Sequence, residues 1–228
     1  VTAGNRKIVS LYGVAATRVV NCPRVPVIVS ARDEERGIER AVPSMLRRDY
    51  PDHEVMAVGD HSTGATGEIL QEILASGNRL RVLRITTLPS GWLEKNHGLH
   101  ARASVVTGSL LLLSDADFVM DWSVLRRAVQ YQLEHRLDHL TAPPRVIVHG
   151  FLSHVMLSAF GLLFSIYAQP WRARVPDRSK HAGIGAFNFL RSSWGTRANR
   201  DAARQLNPEN WLARATLAIA CPDRASWG

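Results

Sequence analysis

Two aspartates flank a single small residue, Asp115-Ala116-Asp117, directly after the apolar run LLLL of residues 110–113. Side chains two apart on a strand point to the same face, so both carboxylates are expected to converge. Such a pair makes a hard-oxygen site for Mg²⁺ or Mn²⁺, with substrate phosphates completing the ligand set. The competing reading is a solvated strand-to-loop turn, where aspartate is common because it hydrogen-bonds its own backbone. Upstream, Lys95 and Asn96 lie in GWLEKNHGLH. A lysine there is placed to pair with a diphosphate, or is simply exposed. His97 and His100 have no third partner at zinc-ligand spacing, so a zinc site is not expected. Asp60 opens the loop DHSTGATG. It either accepts a hydrogen bond from a nucleobase N–H or, with Ser62 or Thr63, caps the next helix. That loop lacks the GKS/T ending of a P-loop.

These residues need elements to carry them. VPVIVS (25–30) is a short β-branched run that fits a buried parallel strand. Ile38, Val42, Met45 and Leu46 recur at helical spacing, so 34–47 is expected to be an amphipathic helix ended at Tyr50-Pro51. EVMAV (54–58) is a second strand, and 68–74 a helix closed by Gly77-Asn78. LRVLRI (80–85) alternates apolar and basic residues, which suits an edge strand. Residues 92–106 are expected to be a helix, 109–113 a strand and 124–135 a helix. Residues 140–148 should form a strand, placed at an edge or bulge by Pro143 and Pro144. The β-α-β-α-β-α-β order predicts an α/β fold with a mostly parallel, Rossmann-like sheet. Sheets of this kind bind ligands beyond the carboxyl ends of their strands. The polar clusters at 30–35, 59–63 and 114–117 all fall at those ends.

Composition narrows the partners. The chain of 228 residues is 46% hydrophobic and 21% charged, as an ordinary folded domain would be. Its net charge of +8 points to an anionic partner, such as a phosphate-bearing substrate or an anionic membrane. Nucleic acid is not expected, because the basic residues are scattered and no aromatic-basic stacking platform is visible. Two cysteines, Cys22 and Cys221, form no disulfide framework, so a cytoplasmic setting is expected. No cleavable signal peptide is evident in residues 1–24. Residues 150–171 carry no Asp, Glu, Lys or Arg. His154, three serines and Gln169 dilute the run below a spanning segment, and it reads as a buried or interfacial helix.

Taken together and in order, these pieces resemble the family 2 glycosyltransferases. PVIVSARDEERGIERAVPSMLRRDYPDHEVMAV is similar to that family's first strand, helix and second strand. DHSTGATGEIL resembles its second loop, GWLEKNHGLHARASVVTGSLLLLSDADF its Lys/Arg-Asn helix and DxD strand, and AGIGAFNFLRSS a later strand on the acceptor side. GWLEKNHGLH and LDHLTAPPRV resemble the bacterial, hopanoid-associated subgroup in particular. The resemblance covers about residues 25–193, leaving 1–24 as an N-terminal extension and 194–228 as an atypical tail. It implies a GT-A type fold and metal-assisted, inverting transfer from a nucleoside-diphosphate sugar, with UDP-sugars the expected donors. It further implies that Ala31, Arg32 and Glu34 lie by the nucleobase and ribose, and that Asp60 faces the base. Lys95 and Asn96 would border the nucleotide, Asp115 would lie near ribose and metal, and Asp117 would ligate the metal. A lipid or membrane acceptor would place the protein peripherally on the inner face of the membrane.

The chain departs from that pattern in two places. In the second loop Gly59 stands where an Asp is usual, and Gly64-Ala65 where Asp-Gly is usual. Beyond Arg191 the family supplies an acidic pair that provides the general base, whereas residues 192–228 hold only Asp201, Glu209 and Asp223, each isolated. No catalytic base is assigned. A catalytically incomplete nucleotide-binding relative is therefore the competing expectation. A nucleotidyltransferase is disfavoured because ARDEERG is acidic where that chemistry wants a basic, glycine-rich loop.

Overall fold

The computed structural model describes residues 6–9, 11, 22–31, 34–60, 65–76, 79–85, 108–137, 139–168 and 186–191. In chain order the strands are β1 (Arg6–Val9), β2 (Val25–Ser30), β3 (His53–Asp60), β4 (Leu80–Ile85), β5 (Leu110–Asp115), β6 (Val119–Met120), β7 (His139–Thr141), β8 (Arg145–Ile147) and β9 (Asn188–Arg191). The helices are α1 (Glu35–Leu46), α2 (Thr66–Ser76), α3 (Val124–Glu134) and α4 (Phe151–Ala168). The expected helix at 92–106 lies outside the described residues.

The main sheet has six strands in the order β4-β3-β2-β5-β9-β7. The four strands β4, β3, β2 and β5 are parallel, and β9 runs antiparallel to both β5 and β7. This is the mixed, mostly parallel α/β sheet that the element order predicts, with β4 at the edge, as expected for an apolar run interspersed with arginines. The centre of the sheet is dry. Val25, Val27, Ile28 and Val29 of β2 and Leu110 to Leu113 of β5 are all buried. On one side Val25, Val27, Val29, Leu110 and Leu112 share a core with Ile38, Ala41, Val42 and Met45 of α1. Ile38, Val42 and Met45 belong to the stripe expected from helical spacing, and Leu46 packs against it half-buried.

Two expectations need correction. Residues 140–148 are not one strand. The chain breaks at Pro143-Pro144, which lack N–H donors and force the preceding backbone away from helix. It leaves β7 at the edge of the main sheet and β8 at the edge of a second, three-stranded sheet ordered β6-β1-β8. Gly59 and Asp60 belong to β3 rather than to the loop, paired with Arg84 and Ile85. The uncharged run after Gly150 is helical, as expected, and of the two expected settings, buried or interfacial, it does not take the buried one. Phe160, Leu163 and Tyr167 are 64%, 66% and 88% exposed.

The second sheet was not foreseen. Its central strand β1 comes from the N-terminal extension, running parallel to β6 (Ile8 beside Val119) and antiparallel to β8 (Ile8 beside Arg145). Two-residue and four-residue strands paired across more than a hundred residues leave no local periodicity to read.

Candidate functional site

Strand register gathers the candidate residues. Ser30 at the end of β2 lies beside Val58 of β3 on one side and Asp115 of β5 on the other. The Ala31 N–H donates to Val58 O at 2.9 Å, which carries the pairing one residue past β2. The carboxyl ends of three adjacent parallel strands thus bring Ala31, Asp60 and Asp115 to one edge, with Glu34 just before α1. Arg32, Lys95 and Asn96 lie outside the described residues, as do all acids of the tail after Arg191.

The two aspartates do not sit as consecutive strand positions. β5 ends at Asp115, and Ala116-Asp117 form a turn. The reason lies in packing: Ala116 is fully buried, and the N-terminal end of α1 presses against this turn. A Cβ on Gly37 would lie 2.9 Å from Ala116 O and 3.0 Å from Asp117 Cα, closer than side-chain carbons come to backbone. Glycine at 37 is therefore what lets the helix start reach the Asp115-Ala116-Asp117 turn. Asp117 is half-buried, with its Oδ1 shielded from solvent.

The strand that follows the turn is held by α1 as well. Met120 donates its N–H to Ser44 Oγ at 3.0 Å, and its carbonyl accepts from the Arg48 guanidinium at 2.9 Å. The Ser44 hydroxyl in turn donates to Ala41 O at 2.6 Å. Burial lowers the Arg48 pKa to about 10, while Asp121 acts in the opposite direction and Arg47 adds to the depression. Further along, the Asp49 N–H donates to Trp122 O at 3.1 Å and its carboxylate pairs with Arg126 at 2.7 Å. Both sides of the carboxylate turn are thus fixed. On the far side of β5, Ser114 Oγ donates to Ala186 O at 2.8 Å, and Asn188 of β9 sits beside Leu113.

One positioning residue escaped the sequence reading. Glu35 Oε1 accepts the Ala65 N–H at 3.1 Å, at the start of α2. A carboxylate suits the positive end of a helix. Here one comes from the neighbouring helix; the expected caps Ser62 and Thr63 lie outside the described residues. The available signal was an acid in the first turn of α1.

What this edge offers chemically is a half-buried aspartate turn facing the carboxyl ends of a parallel sheet. Among the described residues no group of three His, Cys, Asp or Glu side chains forms a metal cage. Two carboxylates do fit a hard divalent cation that takes its other ligands from water and substrate phosphates.

A profile of the family described as glycosyl transferase family 2 matches residues 27–194. The chain belongs to that family. A β-monoglucosyldiacylglycerol synthase from Synechocystis sp. is 34% identical over 123 residues, 53% of this chain and 25% of its own length. A Haemophilus influenzae protein named only as an uncharacterized glycosyltransferase is 30% identical over 147 residues, 64% of this chain and 42% of its own length. The chain therefore spans between a quarter and under a half of these relatives. Among solved structures, a mannosyltransferase from Pyrobaculum calidifontis, in complex with GDP-Man and Mn²⁺, superposes with a TM-score of 0.54 at 20% identity. That match covers 75% of this chain and 45% of the other, and it establishes the GT-A type fold.

Proposed function

We propose that the chain is the donor-binding part of a glycosyltransferase that moves a sugar from a nucleoside-diphosphate sugar to a lipid acceptor. The observation that carries this reading is the Asp115-Ala116-Asp117 turn, fixed at the carboxyl edge of the parallel sheet in a family 2 chain. Asp117, with Asp115 beside it, would hold Mn²⁺ or Mg²⁺. The cation's chemistry is Lewis-acid neutralisation of the departing diphosphate. Ala31, Glu34 and Asp60 line the same edge, where nucleobase and ribose would lie; Arg32, Lys95 and Asn96 are proposed to complete the pocket. Transfer would invert the sugar carbon. The lipid acceptor is supported by the name of the Synechocystis relative and by the uncharged helix α4, and it implies work at the inner face of a membrane.

Calorimetry with UDP and with GDP, each with and without Mn²⁺, tests the donor site. Metal-enhanced binding of either nucleotide is expected, and Asp117→Ala should remove most of the enhancement. Equal binding with and without the cation would remove the metal from the proposal. The isolated acids of the tail favour one second reading, a relative that binds donor but lacks the base. A general base contributes roughly 10²–10⁴-fold, so a transfer assay separates the two. Robust turnover abolished by Asp201→Asn or Glu209→Gln would identify the base and end the incomplete-enzyme reading.

A further inference from the structure

Helix α4 is exposed around nearly its whole circumference. Leu157 and Ser165 are half-buried, Val155 and Phe164 keep 46% and 37% of their surface exposed, and the other large apolar side chains from Phe151 to Tyr167 are 58–88% exposed. It carries no Asp, Glu, Lys or Arg. A helix that is apolar all round belongs in an apolar medium. At about 100° per residue, His154, Ser158, Gly161 and Ser165 fall on one narrow seam, and apart from Ser153 the rest of the surface is apolar. Even the seam is partly satisfied internally. The His154 ring contacts Gly150 O at 2.8 Å, and Ser165 Oγ donates to Gly161 O at 2.7 Å. Such bonds to the helix's own carbonyls lower the cost of leaving water.

A protein partner typically covers a stripe about 100° wide, whereas a lipid phase can cover everything but the seam. With 18 residues, at about 1.5 Å each, α4 is roughly 27 Å long, just short of the roughly 30 Å hydrocarbon core. No helix among the described residues is long and apolar enough to cross a membrane. Charge selects the kind of lipid. The chain carries a net +8, and in sequence α4 is followed by Arg172, Arg174, Arg178 and Lys180 against the single acid Asp177.

We propose that α4 docks the protein on an anionic bilayer, lying in the interface with its apolar surface among the acyl chains and its seam toward the headgroups. The proposal deepens the lipid-acceptor reading and rests on it for the meaning of the docking, though not for the docking itself. The two are joined in the fold. After α4 the chain returns at Ala186, whose carbonyl holds Ser114, and runs into β9 beside β5, so the docked helix leads to the carboxylate edge.

The test is co-sedimentation of the full chain with phosphatidylcholine vesicles, with and without phosphatidylglycerol. The comparison variant is Phe160→Asp/Leu163→Asp, checked by circular dichroism and by UDP and GDP binding with Mn²⁺. Binding to the anionic vesicles that weakens with salt is expected. The double variant should bind at least about tenfold less, with its fold and nucleotide binding unchanged. A wild-type chain that stays in the supernatant at low salt, or a double variant that binds as well as wild type, overturns the docking. So does a lipid-free dimer in sedimentation velocity that the double variant abolishes, because a second copy would then cover the helix. Nucleotide binding without vesicle binding sinks the docking alone. Vesicle binding without nucleotide binding sinks the glycosyltransferase reading and leaves the docking standing.

Discussion

Two uncharged apolar runs in this chain meet opposite fates. Leu110 to Leu113 lie at the centre of a parallel sheet, flanked by β2 and β9 and buried throughout. Phe151–Ala168 is longer and as free of charge, yet it stands exposed on almost every side. Composition does not distinguish them. What does is the neighbourhood that each run's geometry recruits. A strand places hydrogen-bonding edges on both sides and so acquires neighbours that cover its faces. A helix satisfies its backbone alone and can remain uncovered until something apolar arrives. The buried run ends in the aspartates of the candidate site, and the exposed run supplies a surface.

The sharpest way to break this contrast is to truncate one leucine in each run. Leu112→Ala removes a side chain with no solvent exposure and should cost about 2–5 kcal/mol in urea unfolding. Leu163→Ala, at 66% exposure, should change stability by less than about 0.5 kcal/mol. A comparable loss at both positions would mean that α4 is packed in solution.

The next effect lies at the clamp between α1 and β6. Ser44→Ala takes away the acceptor for the Met120 N–H and should cost about 1–3 kcal/mol, the penalty of leaving a buried donor unpaired. It should also weaken metal-enhanced nucleotide binding, because β6 directly follows the aspartate turn. Unchanged stability together with unchanged binding would show that the turn is held by β1 and Gly37 without the serine.

The contrast was only half legible in the sequence. β2 and α1 follow from local pattern, because β-branched runs and a 3.6-residue stripe are set by neighbours in the chain. The edge placement of β4 was anticipated from the arginines interspersed in its apolar run. The Asp115-Ala116-Asp117 cluster was visible, but its shape was not. Strand periodicity was extended through the turn, whereas β5 ends at Asp115, where α1 packs closely through Gly37. β1, β6 and the split at Pro143-Pro144 are fixed by partners far away in the chain. Whether the run of α4 lay buried or at an interface stayed open, since an apolar run has the same composition in a core as at a surface.

The smallest expected effect is alkaline. The Tyr50 hydroxyl donates to Pro23 O at 2.6 Å, and burial, with Cys22 and Asp52 adding to it, raises its pKa. The unfolded phenol loses its proton near its ordinary value of 10.0 while the folded one keeps it. Stability should therefore fall as pH rises past about 10, by at most about 1.4 kcal/mol per pH unit. Tyr50→Phe removes this contribution, so its stability should decline less above pH 10 than that of the wild type. Vesicle binding, if it depends on α4, should not distinguish the two proteins at neutral pH. An equally steep alkaline decline in the variant would show that another group governs it.

The small sheet sets an order of events during synthesis. Strand β1 leaves the ribosome first among the described elements, but its partners are Val119–Met120 and Arg145–Ile147. At a translation rate of about 5–20 residues per second, β1 waits roughly 7–28 s for its last neighbour. The parallel layers of β2, β3 and β4 can assemble during that interval. The earliest-made of the described strands is thus among the last to be fastened, and its docking secures β6, just after the aspartate turn, once the larger sheet has begun to stand.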